Sequence, residues 1–167
     1  MTRETLLMSR PEMSTPDRAH KLEQLIAAHA SIVDFGSPST APGDDWIARA
    51  ESALERPLPA SYRWFLQRYG GGEIGGEEIY SIYGILFETA NGGDIVSQHL
   101  ANRKTGLLGE SKLVVGATDF GEIFFFDYDA FRDGECSVNL RLPSGEQVRY
   151  AEDFYDFLRK RIAAHLA

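Results

Sequence analysis

No stretch of this chain approaches the roughly 20 consecutive apolar residues that a membrane-spanning helix requires. The opening run MTRETLLMSRPEM has only Leu6-Leu7-Met8 as an apolar patch, far short of a secretory signal core, so a cytoplasmic location is expected. One cysteine, Cys136, is present. It cannot close an intramolecular disulfide, and nothing calls for an oxidising compartment. The four histidines, His20, His29, His99 and His165, are scattered without the close pairing that zinc ligands show, so no metal or other cofactor is expected. Bases are outnumbered, 17 Lys and Arg against 25 Asp and Glu, for a formal net charge of −8. The chain shows neither an internal repeat nor a Gly-x-Ser-x-Gly elbow.

A chain of 167 residues with 43% hydrophobic and 25% charged residues can bury a core without staples and is too apolar for a disordered protein. Ten Phe and seven Tyr make that core or an interface aromatic-rich. The negative charge is uneven. Residues 41–100 hold nine acids against four bases, while the segments on either side come close to balance. Such a field repels nucleic acid and anionic membranes and attracts basic partners, although solubility alone would also account for it.

Residues 1–16 show no period and read as a flexible tail; residues 17–167 are expected to form one domain. From Asp17, Leu22, Leu25, Ile26 and His29 share a helical face. The stretch Gly36–Asp44 (GSPSTAPGD) is a loop. A second helix runs from Asp44 or Asp45 to about Glu55, with Trp46, Ile47, Ala50 and Leu54 inward, and Pro57 and Pro59 break it. A third follows at once, its stripe Leu58, Tyr62, Phe65, Leu66 and Tyr69 ending at Gly70. Strands are expected at Ile79–Phe87, Leu113–Gly116, Glu122–Asp127, Ser137–Leu142 and Gln147–Tyr150, with hairpin gaps at Thr118–Gly121 and Pro143–Gly145. A helix over Asp94–Lys104 and a last helix from about Glu152 complete the chain. The fold class is α+β: N-terminal helices on a mainly antiparallel sheet, closed by a C-terminal helix.

Candidate chemistry is thin. The glycines of Gly70–Glu78 (GGGEIGGEE) follow a helix and precede a strand, the reverse of a phosphate-binding loop, and Glu73, Glu77 and Glu78 would repel phosphate. They read as a helix cap and a flexible loop. Cys136 reads as a small residue at a strand edge. Asp127 and Asp129, at a strand end, suit a turn better than a catalytic pair. Arg63, Trp64 and Arg68 lie on one helix but form no basic stripe, which argues against nucleic-acid binding. Trp64 lies off the apolar stripe and either packs under a neighbour or anchors a partner.

Specific words then matter more than composition. The run DWIARAESALERPLPASYRWFLQRYGGGEIGGEEIYSIYGI resembles the SUKH superfamily of bacterial immunity proteins and yeast cell-wall-assembly regulators. The matching positions are Glu51, Leu58-Pro59, Tyr62, Phe65-Leu66, Gly71-Gly72 and Gly84. DFGEIFFFDYD is similar to the family's central hairpin and EDFYDFLRKRI to its closing helix. Where the family often has Asn-Gly-Gly after the second of these helices, Gly70-Gly71-Gly72 stands here. The resemblance implies a non-enzymatic binding scaffold: an immunity protein neutralising a cognate toxin encoded nearby, such as a nuclease, or alternatively a regulatory scaffold in signalling or cell-wall control. Since framework positions serve the fold, specificity is expected on exposed loops. Glu73, Glu77, Glu78 and Asp94 would line a surface for a basic toxin, with Tyr80 or Trp64 as an aromatic anchor.

Overall fold

The computed structural model describes residues 14–167, so the expected tail up to residue 13 lies outside the described residues. Helix α1 (Thr15–Ala28) begins two residues before Asp17, because Ser14 is its N-cap and accepts from the Asp17 amide. Pro16 sits in the first turn, where its missing N–H costs no hydrogen bond. Leu22 and Ile26 are buried, whereas His29 is the C-cap and not a member of the buried stripe. Helices α2 (Asp44–Leu54) and α3 (Ala60–Tyr69) fall where periodicity and proline placed them. Pro59 is the residue before the first turn of α3, and Gly70 closes it in a left-handed conformation.

Among the described residues, seven strands form two antiparallel sheets where one was expected. The first contains β1 (Val33–Phe35), β2 (Gly72–Ile74) and β3 (Glu77–Ile79) in chain order. The glycine-rich segment is therefore a hairpin and not a flexible loop. Gly75 and Gly76 both have positive φ, 58° and 81°, as a two-residue turn that follows the strand twist demands. Periodicity missed β1 and β2 because three residues are too few to show alternation. The expected strand Ile79–Phe87 is also corrected. Only Ile79 belongs to a strand, Ser81 makes an isolated bridge to Asp94, and the remainder is an irregular connection. Helix α4 (Ile95–Thr105) follows.

The second sheet is a meander of β4 (Lys112–Ala117), β5 (Ile123–Asp127), β6 (Val138–Arg141) and β7 (Gln147–Ala151), with the two short turns where they were expected. Its register shifts between Val114 and Gly116. The Val115 carbonyl, displaced from regular pairing by this bulge, accepts the Tyr80 amide at 2.8 Å and links the two sheets. Helix α5 (Phe154–Leu166), capped by Asp153, closes the fold.

One core cluster joins α1, α2, α3, α5 and the inner faces of both sheets. Its centre is aromatic. The Tyr62 ring lies 5.1 Å from Phe154 and 5.2 Å from Phe126, both edge-on, and Phe65 lies 5.2 Å from Phe154. Phe125 points to the opposite face of β5 and forms a smaller cluster with Leu108 and Val114. That is why the run IFFFD is apolar without alternation.

Candidate functional site

The positions quoted for the family resemblance hold the frame. The Glu51 carboxylate accepts the Leu58 amide at 2.8 Å and so fastens the α2–α3 corner. Leu58, Tyr62, Phe65 and Leu66 are wholly buried. The Tyr62 hydroxyl donates to the Tyr80 carbonyl at 2.7 Å. Gly72 lies against the β1 backbone, and Gly84 faces the Trp46 indole.

The acids expected to form a surface have separate fates. Asp94 is completely buried, and it is corrected from a surface acid to a structural one. Its carboxylate caps α4 by accepting the Ser97 amide at 2.9 Å, and it also accepts the Tyr83 amide at 3.0 Å. Glu77 lies on the core side of its strand and pairs with Arg161 of α5 at 2.5 Å. Glu78 accepts the Tyr83 hydroxyl, which in turn accepts the Gly93 amide at 2.7 Å. Burial, followed by that bond to Glu78, pushes the Tyr83 phenol up to about 12. Glu73 alone is both exposed and without an ion pair among the described residues.

The register of the first sheet adds a residue that sequence reading missed. Asp34 is directly opposite Glu73, and Glu73 directly opposite Glu78. Val33, Ile74 and Ile79 turn inward, so these three carboxylates stand in a row on the outer face. Among the described residues no cation pairs with any of them. Asp34 belongs to an unrecognised strand some forty residues upstream, so no local signal could have placed it there.

The two expected aromatic anchors are packed. Trp64 is half-buried against Tyr69 and Tyr155, with ring centroids 5.8 and 5.1 Å away. Tyr80 is half-buried between the two clusters. Exposed apolar residues lie elsewhere, among them Tyr83, Ile85 and Leu86 within four positions of one another and Phe120 on the β4–β5 turn.

No group of three or more His, Cys, Asp or Glu among the described residues could hold a metal ion. No described helix is long and apolar enough to cross a membrane. Cys136 is buried just before β6, and burial pushes its thiol up to about 12, so it is not a thiolate at neutral pH. Asp127 and Asp129 share Lys112 at 2.5 and 3.0 Å, and Asp127 also caps a single 3-10 turn. A groove of about 360 Å³ between α1 and α5 is lined by Arg18, Lys21, Leu25 and Tyr155 among others. Its guanidinium at Arg18 is already held by Asp153 at 2.6 Å and that of Arg159 by Asp156 at 2.7 Å.

Among the described residues, His99 is the one buried histidine lacking hydrogen-bond partners on both ring nitrogens. Burial, then Arg56 and Arg103, lower its pKa below 6.5, and Glu110 opposes them weakly. The unfolded chain therefore binds a proton that the folded one resists. Stability that is full above about pH 6.5 falls as the pH drops below that value toward the folded pKa. Denaturant melts from pH 8 to pH 5 should show a smaller loss in His99→Leu than in the wild type. Parallel curves would mean that His99 is solvated.

The fold and the acid row define a small α+β scaffold with an acidic sheet face. The chain matches the family model described as SUKH_6, SMI1-KNR4 cell-wall, over residues 44–158, and it belongs to that family.

Proposed function

We propose that this protein acts by binding and not by catalysis: it is a cytoplasmic immunity protein that neutralises a basic toxin through the outer face of the first sheet. The supporting observation is the row Asp34, Glu73, Glu78. Like charges directly opposite one another across strands destabilise a sheet, by an amount comparable to the roughly 0.2–1 kcal/mol that a favourable pair contributes. Three in succession without a cation are an arrangement that the fold alone does not favour. Nuclease toxins carry basic surfaces to hold phosphates, so an acidic face gives complementary charge and fast encounter. A regulatory scaffold would use the same face, and a toxin gene beside this one separates the two.

The test substitutes Asp34→Lys and Glu73→Lys together and leaves Glu77 and Glu78 intact, because those two hold other elements in place. The free protein should melt at the same temperature or slightly higher, since Glu73→Lys turns the repulsion with Glu78 into an attraction while positions 34 and 73 stay like-charged as before. Association with the product of the adjacent gene should slow at least tenfold at low salt and lose most of its salt dependence. Protection of cells expressing that gene should fail. Unchanged association and protection would remove this face from the interface.

A further inference from the structure

A protein usually exposes large apolar side chains singly, and here Leu107, Phe120, Val148 and Leu166 do so at four separate places. The segment Tyr83–Leu86 differs, with Tyr83 41%, Ile85 48% and Leu86 63% exposed within four residues. It is also heavily tied. At its base Ile82 is buried, the Ser81 amide donates to the Gly93 carbonyl at 2.9 Å, and the Ile95 amide donates to the Ser81 carbonyl at 2.8 Å. Buried Asp94 holds the Tyr83 amide, and Glu78 holds the Tyr83 hydroxyl. Beyond the tip, the Leu86 carbonyl accepts the amides of Thr89 and Ala90 at 3.0 and 2.9 Å. Phe87 packs edge-on against Trp46 at 5.8 Å.

We infer that Ile85 and Leu86 are the apolar anchor of the interface, inserted into an apolar pocket on a partner whose surrounding surface is basic. This deepens the immunity reading and rests on it. An aliphatic anchor that fills a partner's pocket gains from being held rigidly, because little conformational entropy remains to be lost on docking. The ties above hold this tip on both sides. Its charge selects the occupant. Glu78 is bonded to the tip through Tyr83, and Glu88 is exposed just beyond it. Glu78 also belongs to the acid row, which therefore continues into the anchor. A second copy of this chain would bring these acids against one another, whereas a basic protein neutralises them.

The probe is the purified product of the gene adjacent to this one, and the variant is Ile85→Ser with Leu86→Ser. Leu86 lies mostly in solvent and Ile85 about half, so thermal melting should change by no more than a few degrees. Surface-immobilised kinetics should show dissociation at least about 30-fold faster with the association rate within about threefold, the reverse of the signature expected from Asp34→Lys and Glu73→Lys. Phe120→Ser, 81% exposed on the β4–β5 turn, should bind as the wild type does. If the wild type binds and the double variant dissociates at the same rate, the anchor is wrong and the immunity reading stands. If the wild type does not bind this probe, both fail. If the wild type sediments as a dimer that the double variant abolishes, the occupant is a second copy and the inference is overturned.

Discussion

Leu66→Ala is expected to destabilise the protein by about 2–5 kcal/mol, the range for deleting a fully buried leucine side chain. Leu66 has no exposed surface and belongs to the main core cluster. Its helix is held on the core side by an aromatic network in which Tyr62, Phe65 and Phe154 contact one another. Such rings move as rigid plates and cannot flow into a methyl-sized void, so much of the cavity persists and the cost lies toward the upper part of that range. Urea melts measure it. The exposed neighbour Gln67→Ala should stay within about 0.5 kcal/mol. A loss below about 1 kcal/mol at Leu66 would mean that α3 does not pack on this face.

Gly72→Ala is expected to cost about 2–6 kcal/mol, from two sources that act together. Its φ of 147° lies where side chains are strained, worth about 1–3 kcal/mol. A Cβ there would also overlap the Asp34 carbonyl oxygen and come within 2.6 Å of the Phe35 Cα. Those are backbone atoms of the paired strand that cannot rotate away, and overpacking of this kind costs about 1–3 kcal/mol more. The strand forced apart is β1, which carries Asp34, so the acid row should be disrupted with it. Hydrogen exchange of the Gly36 and Gly75 amides, which donate across this region to Gly71 and Ile32, would report the opening. Gly76→Ala, with no atom within 4 Å of its Cβ, isolates the cost of positive φ alone. Equal losses at the two positions would show that the close approach to β1 contributes nothing.

Helices α2, α3, α4 and α5 and the four-stranded meander were legible because their signals are local. Trp46, Ile47, Ala50 and Leu54 repeat at helical spacing, Pro57 and Pro59 interrupt, Gly70 caps, and short turns join apolar strands. Two readings failed where a local pattern was ambiguous. The run IYSIYGILF has strand composition, yet past Ile79 its pairing among the described residues is limited to the Ser81 bridge to Asp94 and the Tyr80 amide bonded to Val115. The glycines before it looked unstructured, yet Gly75-Gly76 is the turn that lets β2 and β3 pair.

What the sequence determined by itself was the fold class, the family frame and the excess of acid in the middle of the chain. Each of these follows from residue type and spacing within a few turns. The folded structure decided which of those acids stay free. Asp94 is consumed as a helix cap, Glu77 by Arg161 and Glu78 by Tyr83, while Asp34 arrives from a distant strand to stand beside Glu73. A carboxylate's availability depends on which donors the folded chain brings within about 3 Å of it. The Asp94 cap on Ser97 and the Glu78 bond to Tyr83 join residues three and five apart, whereas the α5 guanidinium that meets Glu77 and the β1 strand that carries Asp34 come from distant elements, for which no local window of sequence contains the answer.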